Sequence, residues 1–159
     1  MNLEHAKEIM EEIMSVECPD YQFRMPSPSL MHVEDEKVIG MTHFYPKFID
    51  IDEEYLLNTD VFEVIDIMFH EVAHAKDCNL QREGKVPWNH GKDCGGHDSI
   101  WLSLFTELEN KYLKRIPAWG IVEGAIQYGK KMTEQRSSVE ENKSVIVEDY
   151  SINLYIVGV

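Results

Sequence analysis

Hydrophobic and polar positions recur at two different periods along the chain, and these periods predict a helix followed by strands. Residues 2–16 carry apolar side chains at helical spacing with Glu and Lys on the other face, which predicts an amphipathic helix. Short β-branched and aromatic runs at 21–25, 38–44 and 48–52 predict strands. The links between these runs are too short for crossover helices, so we expect a small antiparallel sheet.

A second helical periodicity begins near residue 60 and predicts a buried amphipathic helix over 60–78. Asp60 or Thr59 can cap its first turn. Residues 79–96 then form a polar stretch with four glycines and one proline. A loop of this length in a compact domain is usually functional. A third helix is predicted over 98–115, where apolar residues again recur at helical spacing.

The C-terminal quarter of the chain carries weaker patterns. Residues 121–135 predict a shorter helix, and residues 137–144 read as a polar linker. Apolar residues within 145–157 alternate as in an edge hairpin or a terminal strand. We therefore expect one α+β domain over 1–135, with the linker and terminal strand of 136–159 packed on the same domain.

The chain is strongly acidic, which narrows its possible partners. Its 159 residues include 29 acidic and 15 basic side chains, for a formal net charge of −14. A negative average field opposes a purely electrostatic hold on DNA, RNA or anionic lipid, because each of these ligands needs a positive surface. We therefore expect this chain alone to bind nucleic acid weakly, unless a local basic patch decides the matter.

Apolar runs and cysteines bear on the location of the protein. No apolar run approaches the eighteen or more residues of a membrane-spanning helix, so we expect no membrane association. The first residues carry no basic segment followed by an apolar stretch, and three cysteines are too few for a disulfide scaffold. These features together predict a cytoplasmic protein with reduced thiols.

The predicted helix over 60–78 contains the sequence HEVAH, in which His70 and His74 flank Glu71. Histidines four residues apart lie about 40° apart around a helix axis and about 6 Å apart along it. Both imidazoles can therefore reach one metal ion, with the glutamate beside them as general base. Chance would produce only about 0.04 such matches in a chain of this composition, so the motif favours a metal site.

A catalytic zinc also needs a third protein ligand and an open coordination position. The short spacing that continues the motif with Gly and His is absent, because Asp77 and Leu80 occupy those positions. A glutamate on a later helix is also possible, but Glu107 and Glu109 lie far along the third predicted helix. The remaining candidates are the histidines of the polar loop.

The loop offers two histidines, His90 and His97. His97 follows two glycines and immediately precedes the third predicted helix, on which Trp101 can pack beneath the site. His90 is followed by glycine, but no aromatic residue stands four positions later and no helix begins there. We therefore favour His97 as the third ligand and keep His90 as the competitor.

The HEVAH sequence, the loop, and the sequence GHDSIW from Gly96 to Trp101 together resemble the SprT-like metalloprotease domain, the family that includes Spartan. The resemblance extends over roughly residues 1–115, with specific motifs only in 70–101. It implies a zincin-like α+β domain over 1–135, in which an N-terminal helix and a small sheet precede the HExxH helix. A following helix would then carry the third ligand.

The resemblance also implies the chemistry of the site. One catalytic Zn²⁺ would be bound by His70, His74 and His97, and Glu71 would be the acid/base. Asp98 stands where the family usually has Gly, which is closer to the related WLM group. The loop is longer than usual, and we expect neither a Cys-rich zinc ribbon nor a basic DNA-binding extension, so the DNA-linked substrate of some family members is not carried over to this chain.

We therefore expect a zinc-dependent metallopeptidase that hydrolyses peptide bonds of a peptide or protein substrate through zinc-activated water and Glu71 as general base. Two alternatives stay open. A closed zinc site formed by both helix histidines, His97 and Cys94 would make the domain a non-catalytic, zinc-stabilised binding module. The acidic surface could instead dock a basic partner or mimic nucleic acid.

Overall fold

A computed structural model describes most of the first 119 residues of the protein. The described residues are 1–27, 30–33, 35–92, 96–116 and 119. This part of the chain is α+β, with four α-helices and a small mixed sheet. The helix predicted over 121–135, and the linker and terminal strand predicted over 136–159, lie outside the described residues. Within the described ranges, no helix is long and apolar enough to cross a membrane.

Helices and strands follow the predicted order closely. Their order is α1 (Leu3–Glu17), β1 (Gln22–Arg24), β2 (His32–Val33), β3 (Glu36–Lys37), β4 (Gly40–Phe44), β5 (Lys47–Ile51), α2 (Glu53–Asn58), α3 (Val61–Arg82) and α4 (Ser99–Tyr112). A 3₁₀ turn, Leu113–Arg115, continues α4. The N-terminal helix, the middle strands and the two long helices after them are therefore confirmed to within a few residues.

The three-stranded sheet has the order β1-β5-β4, and it is mixed. β4 and β5 form the expected antiparallel hairpin, but β1 lies parallel to β5, with Phe23 opposite Ile49. The expectation of a purely antiparallel sheet is thus wrong. The connection from β1 to β5 contains β4 and the small antiparallel β2–β3 hairpin, so it is long enough to cross over without a helix.

α3 is the central helix of the domain. The Asp60 side chain caps it by accepting a hydrogen bond from the backbone N–H of Phe62 at 2.8 Å. The helix ends four residues later than predicted, at Arg82, because no helix-breaking residue occurs before Gly84. The sheet, α1 and α4 all contact it, and its central turns are buried on every side.

α2 was not predicted from the sequence. Asp52 begins this six-residue helix by accepting hydrogen bonds from the N–H groups of Glu54 and Tyr55. A helix of this length is too short to display an apolar period. Leu56 is its one fully buried side chain, and the helix closes the end of the domain near α1.

A buried carboxylate joins the three long helices. Glu17, at the end of α1, is 4% exposed and accepts hydrogen bonds from Lys76 of α3 and Lys111 of α4, each at 2.5 Å. Tyr112 donates a further hydrogen bond at 3.2 Å. The Glu17 charge is therefore compensated where it is buried, and it helps to fix α3 relative to α4, the two helices that flank the site.

Candidate metal centre

Three buried histidines converge between α3 and α4. His70 and His74 lie one turn apart on α3, and His97 immediately precedes Asp98, the N-cap residue of α4. Their Nε2 atoms are 3.2 Å apart for His70 and His74, and 3.0 Å apart for each pair that includes His97. The exposed fractions are 0%, 3% and 5% in chain order.

Trp101 supports this cluster from α4. Its ring centroid lies 4.7, 5.4 and 4.6 Å from those of His70, His74 and His97, respectively. The indole is 1% exposed and stacks on Phe105, with the ring centroids 5.3 Å apart. One aromatic side chain thus packs against all three imidazoles, the role predicted for Trp101 from its place in the sequence.

The geometry fits a single metal ion. A tetrahedral ion with metal–nitrogen distances of about 2.0–2.1 Å places its nitrogen ligands about 3.3 Å apart, close to the separations seen here. Burial lowers the pKa of His70 and of His74 well below the usual value, and it lowers that of His97 to about 4. The imidazoles are therefore neutral at physiological pH, which is the protonation state that binds metal.

The described residues thus contain a three-histidine cluster compatible with a metal ion, as predicted from HEVAH and the following histidine. Cys94, which the closed-site alternative requires, lies outside the described residues. Cys78 is a buried free thiol on α3, one turn beyond His74.

His90 does not join the cluster. Its Nε2 atom lies 2.6 Å from Asp77 Oδ1, and its Nδ1 atom lies 2.6 Å from Asp98 Oδ2. Both ring nitrogens are thereby occupied by carboxylates. Burial opposes protonation of this histidine, but the hydrogen bonds and charges of the two aspartates outweigh it and raise the pKa. The structure therefore places His97 with the helix histidines and gives His90 a different environment.

Asp98 connects His90 to the start of α4. While its Oδ2 atom faces His90, its Oδ1 atom accepts hydrogen bonds from the backbone N–H groups of Ile100 and Trp101, each at 3.1 Å. The carboxylate therefore caps α4 and binds the loop histidine at the same time. His97 is the next residue back along the chain, so these contacts fix the backbone that carries the third histidine.

Glu71 lies against β4 with its side chain fully buried. Its Oε2 atom is 2.6 Å from the Thr42 hydroxyl, which also lies 2.9 Å from the backbone carbonyl of Glu71. Oε1 has no hydrogen-bond partner among the described residues. Burial raises the pKa of Glu71 to about 8; the Thr42 hydrogen bond opposes this shift and the charge of Asp50 adds to it.

Gly40 allows β4 to lie this close to Glu71. A Cβ atom at position 40 would stand 2.6 Å from Glu71 Oε1 and 2.9 Å from Ile67 Cδ1, which is closer than van der Waals contact permits. Sequence reasoning missed the roles of Gly40 and Thr42. The one available signal was a glycine inside a strand pattern, which often marks a close approach of another group.

A cavity of about 400 Å³ adjoins the cluster, and His74 is one of its lining residues. It lies between the end of β4, the last two turns of α3 and the loop that follows. Phe44, Arg82, Trp88 and Lys92 are among its lining residues. The loop predicted to be functional thus forms one wall of a cavity beside a candidate metal ligand.

No family model, curated protein or solved structure matches the chain. The resemblance to the SprT-like domain therefore stays a prediction from the residues quoted above. The three converging histidines and the adjoining glutamate carry the functional interpretation that follows.

Proposed function

We propose that the protein is a zinc-dependent metallopeptidase with a zincin-like fold of the SprT-like type. The observation that carries this proposal is the convergence of three histidine Nε2 atoms within 3.2 Å, with Glu71 adjacent to the first of them in sequence. Three histidines and a glutamate base are the donor set of hydrolytic zinc sites. His70, His74 and His97 would hold the ion.

Zinc, when bound to this cluster, supplies a Lewis acid that polarises a carbonyl and lowers the pKa of water. Glu71 moves the proton. The positive charge of a bound zinc ion would favour the ionised form of Glu71. Thr42 holds its Oε2 atom, which leaves Oε1 to accept a proton from the attacking water. As the water oxygen bonds to the carbonyl carbon and the C–N bond breaks, the same carboxyl returns the proton to the leaving amine.

The position of β4 suggests how a peptide is held. Among the described strands, β4 is at the edge of its sheet, and Thr42 on this strand touches Glu71. An extended peptide can add to such an edge as a further strand, with main-chain hydrogen bonds along its length. A peptide bound in this way would pass close to Glu71.

A Glu71→Gln variant tests the proposal. Glutamine keeps the size of the side chain but cannot accept and return the proton, so the zinc-loaded variant should keep its metal and fold and lose peptidase activity at least 10²-fold. Glu63→Gln, the same substitution in the first turn of α3, is the control and should retain activity. Peptide cleavage at the wild-type rate by Glu71→Gln would refute the role of Glu71.

One observation favours a second candidate function, a non-catalytic, zinc-stabilised binding module. All three histidines and Glu71 are nearly or completely buried, as in a structural site. In that case the zinc-loaded wild type would cleave no peptide, Glu71→Gln would change nothing, and a chelator would lower the unfolding temperature. Peptide cleavage that depends on Glu71 would exclude this candidate.

A further inference from the structure

The basic side chains of this acidic protein are mostly paired with carboxylates. In the part of the chain that the structure describes, only three of them form no ion pair: Arg82, Lys92 and Lys114. Two of the three, Arg82 and Lys92, line the cavity beside His74. Carboxylates outnumber basic groups almost two to one in this chain. Two cations that form no ion pair at one cavity therefore indicate a site for an anionic ligand.

Arg82 is held in place without being neutralised. Its Nη2 atom donates a hydrogen bond to the Phe44 carbonyl at 2.7 Å, and its guanidinium lies 5.5 Å from the centre of the Tyr45 ring. These contacts fix the guanidinium at the end of β4 and use one of its five N–H donors. The remaining donors suit a carboxylate, which a guanidinium can bind through two parallel hydrogen bonds.

The rest of the lining is compatible with an anionic ligand. Asp77, the one described carboxylate on the cavity, is bound to His90 at 2.6 Å rather than to either cation. Phe44 and the largely exposed Trp88 supply apolar walls that can pack on the methylene groups of a side chain. Among its described lining residues, the cavity therefore presents two positive charges without an ion pair beside an aromatic surface.

We propose that this cavity binds a carboxylate of the peptide substrate, namely the side chain of an Asp or Glu near the bond that is cleaved. This inference rests on the proposed peptidase function. Thr42 touches Glu71 and Phe44 lies two residues further along β4, a distance of about 7 Å in a strand. A peptide running beside β4 therefore places a side chain in the cavity about two residues from the cleaved bond.

Matched peptides test this subsite. Starting from a peptide that the zinc-loaded full chain cleaves, each position within three residues of the cleaved bond is changed to Glu and, separately, to Gln, with both ends capped. At one position, about two residues from the bond, Glu should raise kcat/KM about fivefold over Gln. A capped peptide without Glu, compared with its free C-terminal form, shows whether a terminal carboxylate can replace the side chain.

Three variants show whether the cavity causes the preference. Arg82→Gln and Lys92→Gln should each reduce it, whereas Lys114→Gln removes the third unpaired cation, outside the cavity, and should leave it unchanged. Equal rates for Glu and Gln at every position would overturn the proposal. So would a preference that survives both cavity substitutions, since the carboxylate would then bind elsewhere.

A binding measurement separates this subsite from the peptidase function. Trp88 fluorescence should change on titration with a capped Glu-containing peptide at lower concentration than with its Gln counterpart, whether or not either is cleaved, and Trp88→Phe should abolish the change. If zinc-loaded wild type cleaves no peptide but shows this difference, the peptidase function fails and the carboxylate site stands. Identical titrations with both peptides would refute the site whether or not cleavage occurs.

Discussion

Replacing His90 with glutamine should destabilise the protein, even though this histidine is outside the metal cluster. The imidazole is 5% exposed and lies between two carboxylates, those of Asp77 on α3 and Asp98 at the start of α4, at 2.6 Å from each. Protonated, it donates to both. Glutamine has one amide and no charge, so it cannot reproduce two donors on opposite sides of a ring.

The magnitude follows from what the substitution leaves behind. A hydrogen bond to a charged group contributes about 1.5–3 kcal/mol, and Asp77, at 6% exposure, would be left as a buried carboxylate without its partner. Breaking a buried ion pair by removing one member typically costs about 3–5 kcal/mol. Asp98 is 18% exposed and keeps its hydrogen bonds to the backbone of α4, so we expect about 3 kcal/mol in total.

Chemical denaturation of the metal-free protein between pH 5.5 and 9 measures this contribution. The folded-state pKa of His90 is raised, so its stabilising effect is complete below the ordinary histidine pKa of about 6.5. It is lost as the pH rises through the raised value. The difference in unfolding free energy between wild type and His90→Gln should therefore be largest near pH 6 and should shrink toward pH 9.

Two comparisons make this prediction refutable. His5→Gln removes a histidine that contacts the Trp119 carbonyl far from the loop, and it should not reproduce the size of the effect. Asp77→Asn combined with His90→Gln should cost less than the sum of the single substitutions, since the two groups interact directly. A His90→Gln effect below about 1 kcal/mol, or one that is equal at pH 6 and pH 9, would refute the assignment.

Three further predictions concern the site, the core and the surface. Gly40→Ala should destabilise the fold by about 1–3 kcal/mol in denaturation and reduce activity, because the new methyl group would displace Glu71; unchanged activity would contradict this. Glu17→Gln should lower the unfolding free energy by about 3 kcal/mol. Burial raises the pKa of Glu17, but the hydrogen bonds and charges of Lys111 and Lys76 outweigh it and lower the pKa. The loss of stability should therefore appear above pH 4.5 and vanish as the pH falls through the lowered pKa. Titration with labelled duplex DNA at about 0.15 M salt should show weak binding. Tight binding that charge reversal at Lys114 and Arg115 weakens would show that a local basic patch decides DNA affinity.

Local features of the fold could be read from the sequence, and non-local ones could not. α1, α3 and α4 were predicted because each displays an apolar period over three or more turns, and their errors lie at their ends. The parallel pairing of β1 with β5 joins residues 26 apart, and nothing in the local pattern of either strand specifies its direction. Hydrophobic periodicity reports which residues are buried, not which strand lies beside which.

The same division holds within the candidate site. His70 and His74 could be assigned because helix geometry alone places them on one face. Thr42 and Gly40 could not, because their contact with Glu71 spans about thirty residues and depends on how β4 crosses α3. His97 and His90 lie on the same loop, so their sequence neighbours favoured one of them without excluding the other. The two carboxylates around His90 account for the difference between these histidines.

Asp98 and the long loop form one feature in the structure. Glycine at position 98 could neither cap α4 with a side chain nor bind a histidine, whereas Asp98 does both. A shorter loop would have no residue in the place of His90, and Asp77 would then face Asp98 without a cation between them. The loop therefore supplies, through His90, a cationic group between the two aspartates beside the third histidine. This dependence predicts that Asp98→Gly would cost less in a His90→Gln background than in the wild type.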